Sequence, residues 1–480
     1  MTIVRCQRAF DFCTVMDYKG LLPRSSEVEK QEICSKCIKS STEIGIGRSN
    51  LIHYERIIKQ GDSNKLFQDI SIESTYEPII KFKKFDLDIC ESEYPFFEAS
   101  SQAFRSALKS GINLINKIQP DLAIVYSPQY AATSGFSKAA EALGVSVIFM
   151  EGSSSPYNRY SAVRLWDWKE YGLSNPIATS EVYAQSKIDF RSLFHFRIIR
   201  MGAMHSSYSI AKRNIDIRRH YRINSKCKII LAVLSSTDEV FSASAINRIN
   251  KNRLSTLVFT NQIEWIENTI SFVSQLKDTV LIIRIHPREF PNKRETITSK
   301  MARIWEEKSR EIHNNVIWNL PSENVSLYDL LESANVVVTG WSSVALEALN
   351  QRIPVVTYDE DLSGFPKSLT RTGKSRAMYF SNLEVALSER HSWKLKAKVL
   401  KYISFRDFEM TFRTGGVSFG SPIVLFFPRF MKVFLAIYGH APAKVRNYFD
   451  KSMNRCRDRE KIWLWIKQKM SENKSINEQA

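Results

Sequence analysis

Between Asp121 and Thr357, short runs of β-branched and aliphatic residues alternate with stretches whose apolar positions return every three or four residues. The first pattern suits a buried strand and the second an amphipathic helix. The earliest such unit reads as strand Asp121–Tyr126 (DLAIVY), helix Ser134–Leu143 (SGFSKAAEAL) and strand Ser146–Met150 (SVIFM), a βαβ pattern. A further strand is expected at Phe196–Met201, after which Gly202 and a basic, apolar-poor stretch from Lys212 to Lys228 mark a domain boundary. Beyond it the alternation is clearer. Strands are predicted at Lys228–Leu234, Thr279–Ile285, Asn315–Trp318, Asn335–Thr339 and Ile353–Thr357. A helix is predicted over Asn261–Gln275, where Ile263, Ile266, Ile270 and Val273 build one apolar face. Alternation of this kind makes parallel, doubly wound sheets, whose ligands sit beyond the carboxyl ends of the strands. Met1–Pro120 is more irregular and predicts no comparable order.

Length and composition narrow the class. A chain of 480 residues exceeds what one core usually serves, so two domains are expected, at 1–210 and 211–410, followed by a tail at 411–480. With 44% hydrophobic and 25% charged residues the chain is neither disordered, collagenous nor a multi-span membrane protein. Sixty-eight lysines and arginines against 50 acidic residues give a net charge of +18, which favours nucleic acid, phosphorylated small molecules or an anionic membrane face. Seven cysteines without dense spacing suit a reducing compartment. Cys34 and Cys37 form one CxxC, but no second pair or His cluster completes a zinc site. The opening MTIVRCQRAFDFC is interrupted by Arg5, Arg8 and Asp11 and lacks the hydrophobic centre of a secretory signal, so a cytoplasmic location is expected.

The chemistry is sought at strand ends. Arg284-Ile285-His286-Pro287-Arg288-Glu289 closes the second strand of the later half, and Pro287 cannot continue the ladder. A histidine beside arginines suits a diphosphate, since both donate to its oxygens and the guanidinium keeps its charge. A strand-ending turn with solvated charges is the plain alternative. Further on, Asn335–Thr339 runs into Gly340-Trp341-Ser342-Ser343 and a helix. Here Gly340 allows close backbone approach and the two hydroxyls join the free amides of a helix start, an anion pocket or simply a capped helix. Glu347 lies one turn on, where a carboxylate accepts ribose hydroxyls or stays solvated. Glu151, after SVIFM and before Gly152, is positioned either as a general base toward an acceptor hydroxyl or as part of an ordinary turn. Ser235 and Ser236, and Asn319 with Ser322, are further polar strand-end loops expected to line a nucleotide site.

From Phe259 to Tyr358 the segments NQIEWIENTI, RIHPRE, LPSENVSLYDLL and TGWSSVALEALNQRIPVV occur in an order and spacing that resembles the C-terminal domain of bacterial capsule and surface-polysaccharide glycosyltransferases of the GT-B type, polysialyltransferase and Kdo-transferase-like enzymes among them. The resemblance implies an α/β fold of two Rossmann-like domains facing across a cleft, a nucleotide-sugar donor held mainly by the second, and no obligatory metal or other cofactor. By motif, His286, Ser342 and Ser343 would contact donor phosphate, Glu347 would lie near the ribose, and Glu151-Gly152 resembles the acidic-Gly motif that supplies the base. Met150 stands where a second acidic residue often precedes that base.

The implied reaction is displacement at the anomeric carbon. An acceptor hydroxyl loses its proton as the nucleotide departs, with inversion if Glu151 is the base, and His286 with a neighbouring arginine opposes charge on the leaving phosphate. The expected acceptor is a growing capsule, O-antigen or lipopolysaccharide glycan, free or lipid-linked. A sugar-nucleotide 2-epimerase and a noncatalytic GT-B subunit are the alternatives, and no nucleic-acid module is recognisable. The tail adds an anionic-membrane expectation. Arg429–Ala480 holds 12 lysines and arginines against 5 acidic residues, with Ile462, Trp463, Ile466 and Met470 on one helical face. Such a basic amphipathic helix lies in an anionic interface, placing the protein peripherally on the inner face of the cell membrane, or returns to pack on the protein.

Overall fold

The structure, a computed structural model, describes residues 3–6, 51–54, 72–155, 162–167, 181–200, 212–246, 257–292, 296–359, 364–389, 392–413 and 458–477. The chain forms two compact units from discontinuous segments. One comprises Met1–Phe149, Thr237–Ile249 and Phe290–Lys300, the other Met150–Ser236, Asn250–Glu289 and Met301–Ala480. The boundary expected at residue 210 and Cys34 with Cys37 lie outside the described residues.

In the first unit, β1 (Ile3–Cys6) pairs in parallel with β2 (Leu51–Tyr54). Then follow α1 (Tyr76–Phe82), α2 (Tyr94–Ile118), β3 (Leu122–Tyr126), α3 (Ala131–Ala142) and β4 (Ser146–Gly152), the predicted βαβ run with its second strand extended through Glu151. Two glycines let α2 and α3 touch. A Cβ added at Gly135 would lie 2.3 Å from the Phe104 carbonyl oxygen, and one at Gly111 2.7 Å from the Ala139 Cβ. Ile79, Phe97 and Ala245 form a small core flanked by Phe82, Ile89 and Phe241. The buried ammonium of Lys83 donates to the carbonyls of Phe290 and Ile297, which ties the later segment into this unit.

The second unit contains β5 (Ala162–Asp167), α4 (Phe190–Arg200) and a five-stranded parallel sheet: β6 (Lys228–Val233), β7 (Thr279–Arg284), β8 (Val316–Asn319), β9 (Val336–Thr339) and β10 (Val355–Thr357). Its order is β10-β9-β6-β7-β8. The chain therefore builds to one side of β6, then returns to the other, and the order reverses between β6 and β9, the switch point at which doubly wound sheets bind ligands. Ile229–Ala232 and Val336–Thr339 are fully buried, as unbroken apolar runs require when both faces of a sheet are covered. This α/β, doubly wound architecture is the class expected from the sequence. A second sheet of order β11-β5-β4-β3 ends in β11 (Phe412–Arg413), and the unit boundary falls within β4.

One predicted element is of the wrong type. Phe196–Arg200 belongs to helix α4, not to a strand, and Met201 lies outside the described residues. Ser192, His195, Phe196 and Ile199 are buried at helical spacing, and Phe196 and Ile199 join the core that also holds Val399 and Ile403. A short apolar run does not separate strand from helix by periodicity alone.

Helix α5 (Gln262–Val273) starts where expected, with the Asn261 side chain accepting from Glu264 N at 2.9 Å. Its buried face is Gln262, Trp265, Ile266, Thr269, Ile270 and Val273, so Trp265 takes the central place assigned to Ile263. Helices α6 (Leu327–Ser333), α7 (Val344–Asn350) and α8 (Trp393–Ser404) are among the unit's further helices, and α9 (Arg459–Asn477) lies in the tail. Ile466 of α9 is buried and Trp465 meets Phe412 edge to face, whereas Trp463 is 56% exposed. The predicted apolar face is thus divided between packing and surface. Among the described residues no helix is long and apolar enough to cross a membrane.

Candidate functional site

Three neighbouring strands deliver polar residues to the carboxyl edge of the parallel sheet. Val233 of β6 pairs with Thr339 of β9 on one side and with Arg284 of β7 on the other. Two residues beyond these paired ends, in the loops that leave the strands, stand Ser235, Trp341 and His286. The Thr339 hydroxyl donates to the Val233 carbonyl at 2.8 Å, locking β9 to β6 just below this point.

On β6, Gln262 at the first turn of α5 grips the Ser235 backbone from both ends. Its Oε1 accepts from Ser235 N at 2.9 Å and its Nε2 donates to Ser235 O at 2.8 Å. The backbone is therefore satisfied, while the Ser235 hydroxyl is buried with no protein partner. After β9, the Trp341 indole N–H is buried and unpartnered in the same way. A buried donor left unmatched costs about 1–3 kcal/mol, so two at neighbouring positions mark a place where a ligand or water completes the bonding. Ser236, beside them, is buried.

On β7, Pro287–Glu289 forms a 3-10 turn closed by Glu289 N donating to the His286 carbonyl at 3.0 Å. Arg288 N donates to His286 Nδ1 at 3.2 Å. Nδ1 is therefore the acceptor, and the neutral ring carries its proton on Nε2. The half-buried imidazole is held as an Nε2–H donor, the form that serves a phosphate oxygen. Arg288 itself is buried.

The serines after Gly340 differ from one another. Ser342 Oγ accepts from Val344 N at 3.3 Å, a capping contact, whereas exposed Ser343 occupies the N-cap of α7 with helical backbone angles and makes no cap bond. Glu347 is buried in the first turn of α7. Gly340 has a cause other than ligand approach: a Cβ there would lie 2.9 Å from Cε1 of buried Tyr358.

Two residues expected to line the nucleotide site are committed to the interior. The Arg284 guanidinium donates to Asn319 Oδ1 and, at 3.0 Å, to the Val325 carbonyl. Asn319 Nδ2 donates to Tyr221 Oη at 2.9 Å, and Tyr221 donates to Glu323 at 2.6 Å. Burial pulls the Arg284 pKa down to about 10 against the opposing charges of Tyr221, Glu323 and Tyr328, so it stays cationic at neutral pH. This chain ties β7 to β8 and leaves neither side chain facing a ligand. Ser322 is exposed on the turn after β8, the edge strand on that side. Glu151 is the last residue but one of β4, in the other sheet, where its carboxylate acts electrostatically on Arg164.

The loops after the paired ends of β6, β7 and β9 thus carry Ser235, Ser236, His286, Gly340, Ser342 and Ser343, together with Trp341 and, bonded to Ser235, Gln262, neither of which stood out in the sequence. Gln262 was detectable as a polar residue one turn before Ile266 on the buried face of α5. Trp341 had no signal beyond lying between Gly340 and the serines. Among the described residues no cluster of three or more His, Cys, Asp or Glu is arranged to hold a metal.

No protein-family model matches the chain, and no curated protein matches it. Solved structures with partial likeness include UDP-GlcNAc 2-epimerase from Methanocaldococcus jannaschii in complex with UDP-GlcNAc and UDP, at 16% identity over 70% of this chain and 96% of that one, TM-score 0.29. KpsC, a beta Kdo 2,4 transferase from Thermosulfurimonas dismutans, shares 12% identity over 58% of this chain and 78% of its own, TM-score 0.31. The wall teichoic acid polymerase TagF shares 15% over 40% of this chain and 42% of its own, TM-score 0.25. The fold assignment rests on the strand order rather than on these superpositions.

Proposed function

We propose that this chain is a GT-B-type sugar-nucleotide enzyme, and specifically a glycosyltransferase that moves a sugar from a nucleotide-sugar onto a surface glycan. What carries the reading is the switch point between β6 and β9, where the Ser235 hydroxyl and the Trp341 indole N–H are buried without protein partners. Beside them on β7, His286 is held as an Nε2–H donor. Fixed donors and a helix start with an uncommitted cap serine suit the phosphate of an activated sugar, and they need no metal to balance the departing charge. Ser343 and His286 bind that phosphate, Ser342 shapes the turn, Glu347 lies toward the ribose, and Glu151 takes the acceptor proton, giving inversion.

Thermal unfolding with UDP, GDP and CMP tests the donor site, because a ligand bound only by the native state raises the melting temperature. One nucleotide is expected to stabilise the wild type, and less so His286→Ala. With the matching nucleotide-sugar, His286→Ala should lose on the order of 2–4 kcal/mol of transition-state stabilisation. Indifference to all three nucleotides, or undiminished turnover in His286→Ala, overturns the assignment. An epimerase would convert the nucleotide-sugar without any acceptor, so product analysis with and without glycan separates the two activities.

The basic helix α9, which presents exposed Trp463 beside Lys467, supports contact with an anionic membrane face as the place where such an acceptor is met.

A further inference from the structure

The second unit buries a concentration of charge away from the sheet edge. Asp407 lies on a π-helical turn, Phe405–Glu409, directly after α8, and is fully buried. Its Oδ1 accepts from Ser154 Oγ at 2.7 Å, from Arg164 Nη2 at 2.9 Å and from Arg406 Nε at 2.9 Å. Its Oδ2 accepts from Arg406 Nη2 at 2.8 Å and lies 3.5 Å from His195 Nδ1. The same Nδ1 is 3.2 Å from Ser155 Oγ, and Arg164 also donates to Ser154 Oγ. Burial alone would push the Asp407 carboxyl up, but Arg406, then Arg164 and His195, more than cancel it and hold the group well below the usual carboxylate range.

Serine, histidine and aspartate in one buried cluster suggest a nucleophilic relay, and the geometry excludes it. A relay needs the hydroxyl on one ring nitrogen and the carboxylate on the other. Here both contacts fall on Nδ1, and Ser155 is fully buried.

What the cluster holds is the turn that follows Glu151. Ser153 N donates to the Ala162 carbonyl at 3.1 Å, Ser154 is bound to Asp407 and Arg164, and Ser155 to His195. Every residue from Ser153 to Ser155 is thus fastened. Arg164 lies two residues into β5, the strand beside β4 in the sheet, and the Ser153–Ala162 bond sets the start of β5 against the end of β4 that carries Glu151. Burial lowers the Arg164 pKa, while Asp407 and, more weakly, Glu151 act in the opposite sense. One guanidinium therefore feels the anchoring carboxylate and the carboxylate at the end of β4. Buried ion clusters contribute little net stability, and π-turns recur at functional sites, so a purely structural purpose accounts poorly for this investment.

We infer that Asp407, with Arg164 and His195, is a positioning device for Glu151: it fixes the Ser153–Ser155 turn and aims Arg164 so that the Glu151 carboxylate is held for proton abstraction, without touching substrate. This rests on the reading of Glu151 as the base.

The test uses the full chain with the UDP-, GDP- or CMP-sugar that the wild type turns over, comparing Asp407→Asn, Ser154→Ala, Ser154→Thr and Glu151→Gln. Misplacing a catalytic group by a fraction of an ångström to an ångström costs on the order of 10- to 100-fold, so Asp407→Asn should lower kcat by that factor and leave donor KM within about twofold. In the Glu151→Gln background the same substitution should cause no further loss, since Asp407 acts through Glu151. Ser154→Ala should lower kcat less, and Ser154→Thr should restore it. Amide hydrogen exchange should rise at residues 151–155 in Asp407→Asn and Ser154→Ala while 228–233 stays protected.

Equal losses in both backgrounds, or a loss confined to KM, overturn the positioning role. If Asp407→Asn does not fold, Ser154→Ala with wild-type kcat and wild-type exchange overturns it instead. Glu151→Gln at full turnover removes the base reading itself, whereas a crippled Glu151→Gln beside an unimpaired Asp407→Asn removes only the positioning role. For a wild type that turns over no sugar nucleotide, unchanged exchange at 151–155 in both variants is the overturning result.

Discussion

Replacing Gly340 by alanine separates two reasons for a glycine at that turn. The added Cβ would lie 2.9 Å from Cε1 of Tyr358, 3.3 Å from Cζ and 3.4 Å from the hydroxyl oxygen. Carbon atoms rest at about 3.5–4.0 Å, so the ring must retreat by roughly half an ångström or more. It has little room to do so. Tyr358 is 1% exposed, its ring centroid is 4.8 Å from that of Trp265, and Phe259 meets it edge to face at 5.9 Å. Trp265 is pinned in turn by its indole N–H to Tyr379 Oη at 2.8 Å. Overpacking of a stiff core costs about 1–3 kcal/mol, and alanine recovers only about 0.4–1 kcal/mol through the unfolded chain. The expected net loss is about 1–2 kcal/mol.

Urea unfolding at neutral pH reads this as a lowered midpoint at unchanged slope. The decisive measurement is a double-mutant cycle with Tyr358→Leu, which costs stability alone but opens space at Cε1, so the pair should be less destabilised than the sum by about 1 kcal/mol or more. Gly340→Ala at wild-type stability, or strict additivity with Tyr358→Leu, would refute the packing argument. A normally stable Gly340→Ala that binds nucleotide weakly would restore ligand approach as the reason for the glycine.

Other substitutions probe the interior groups and the tail. Arg284→Met strands the Asn319 Oδ1 and the Val325 carbonyl in the interior and should lower unfolding free energy by about 2–4 kcal/mol, with nucleotide affinity per folded molecule unchanged. Asp407 has a depressed pKa, so its contribution to stability is complete above its ordinary value of about 3.9 and is shed as pH falls below it; between about pH 5 and 3 the urea midpoint of Asp407→Asn should fall less than that of the wild type. Co-sedimentation with anionic vesicles should weaken for the chain cut before Ala441 and for Trp463→Glu; unchanged binding removes the tail as the contact.

The sheet was legible because its strands, the edge strand β8 apart, are almost wholly buried. Such strands read as continuous apolar runs, and all five were anticipated to within two residues at either end. The strand predicted from Ile353 begins at Val355 because Pro354 has no amide proton and enters the ladder only as an acceptor, from Val337 N. The α4 segment was misread for the converse reason: a stretch of aromatic and β-branched residues is too short to show its period. What the sequence could not reveal were partnerships between residues far apart in the chain. Arg284 and Asn319 looked like two ligands for a nucleotide, yet they satisfy each other across neighbouring strands. Gly340 looked like an opening for a ligand and is required by Tyr358. The residues around Asp407 lie up to 253 positions apart and carry no local pattern at all.

Polar groups at the strand ends fall into two classes, and the division bears on function. Thr339, Ser342, Arg284 and Asn319 have their hydrogen bonds met by protein, and each holds a strand or turn in place. Ser235 Oγ and Trp341 Nε1 do not. Isolated unmatched atoms occur elsewhere, at Arg164, Trp318, Gln351 and Thr372, but here two follow the ends of adjacent central strands at the point where the strand order reverses. Gln262 sharpens the contrast, because it saturates the Ser235 backbone from both sides and leaves the hydroxyl as the unspent group. A frame this completely bonded, with its unspent donors gathered at one place, is preorganised: binding there need not first break protein hydrogen bonds, so the donors' full strength is directed at the ligand. Ser235→Ala should consequently leave stability unchanged or slightly raised, since it removes a buried unmatched hydroxyl, while nucleotide affinity falls. The opposite pattern, lost stability with intact binding, would mean that the hydroxyl serves the frame after all.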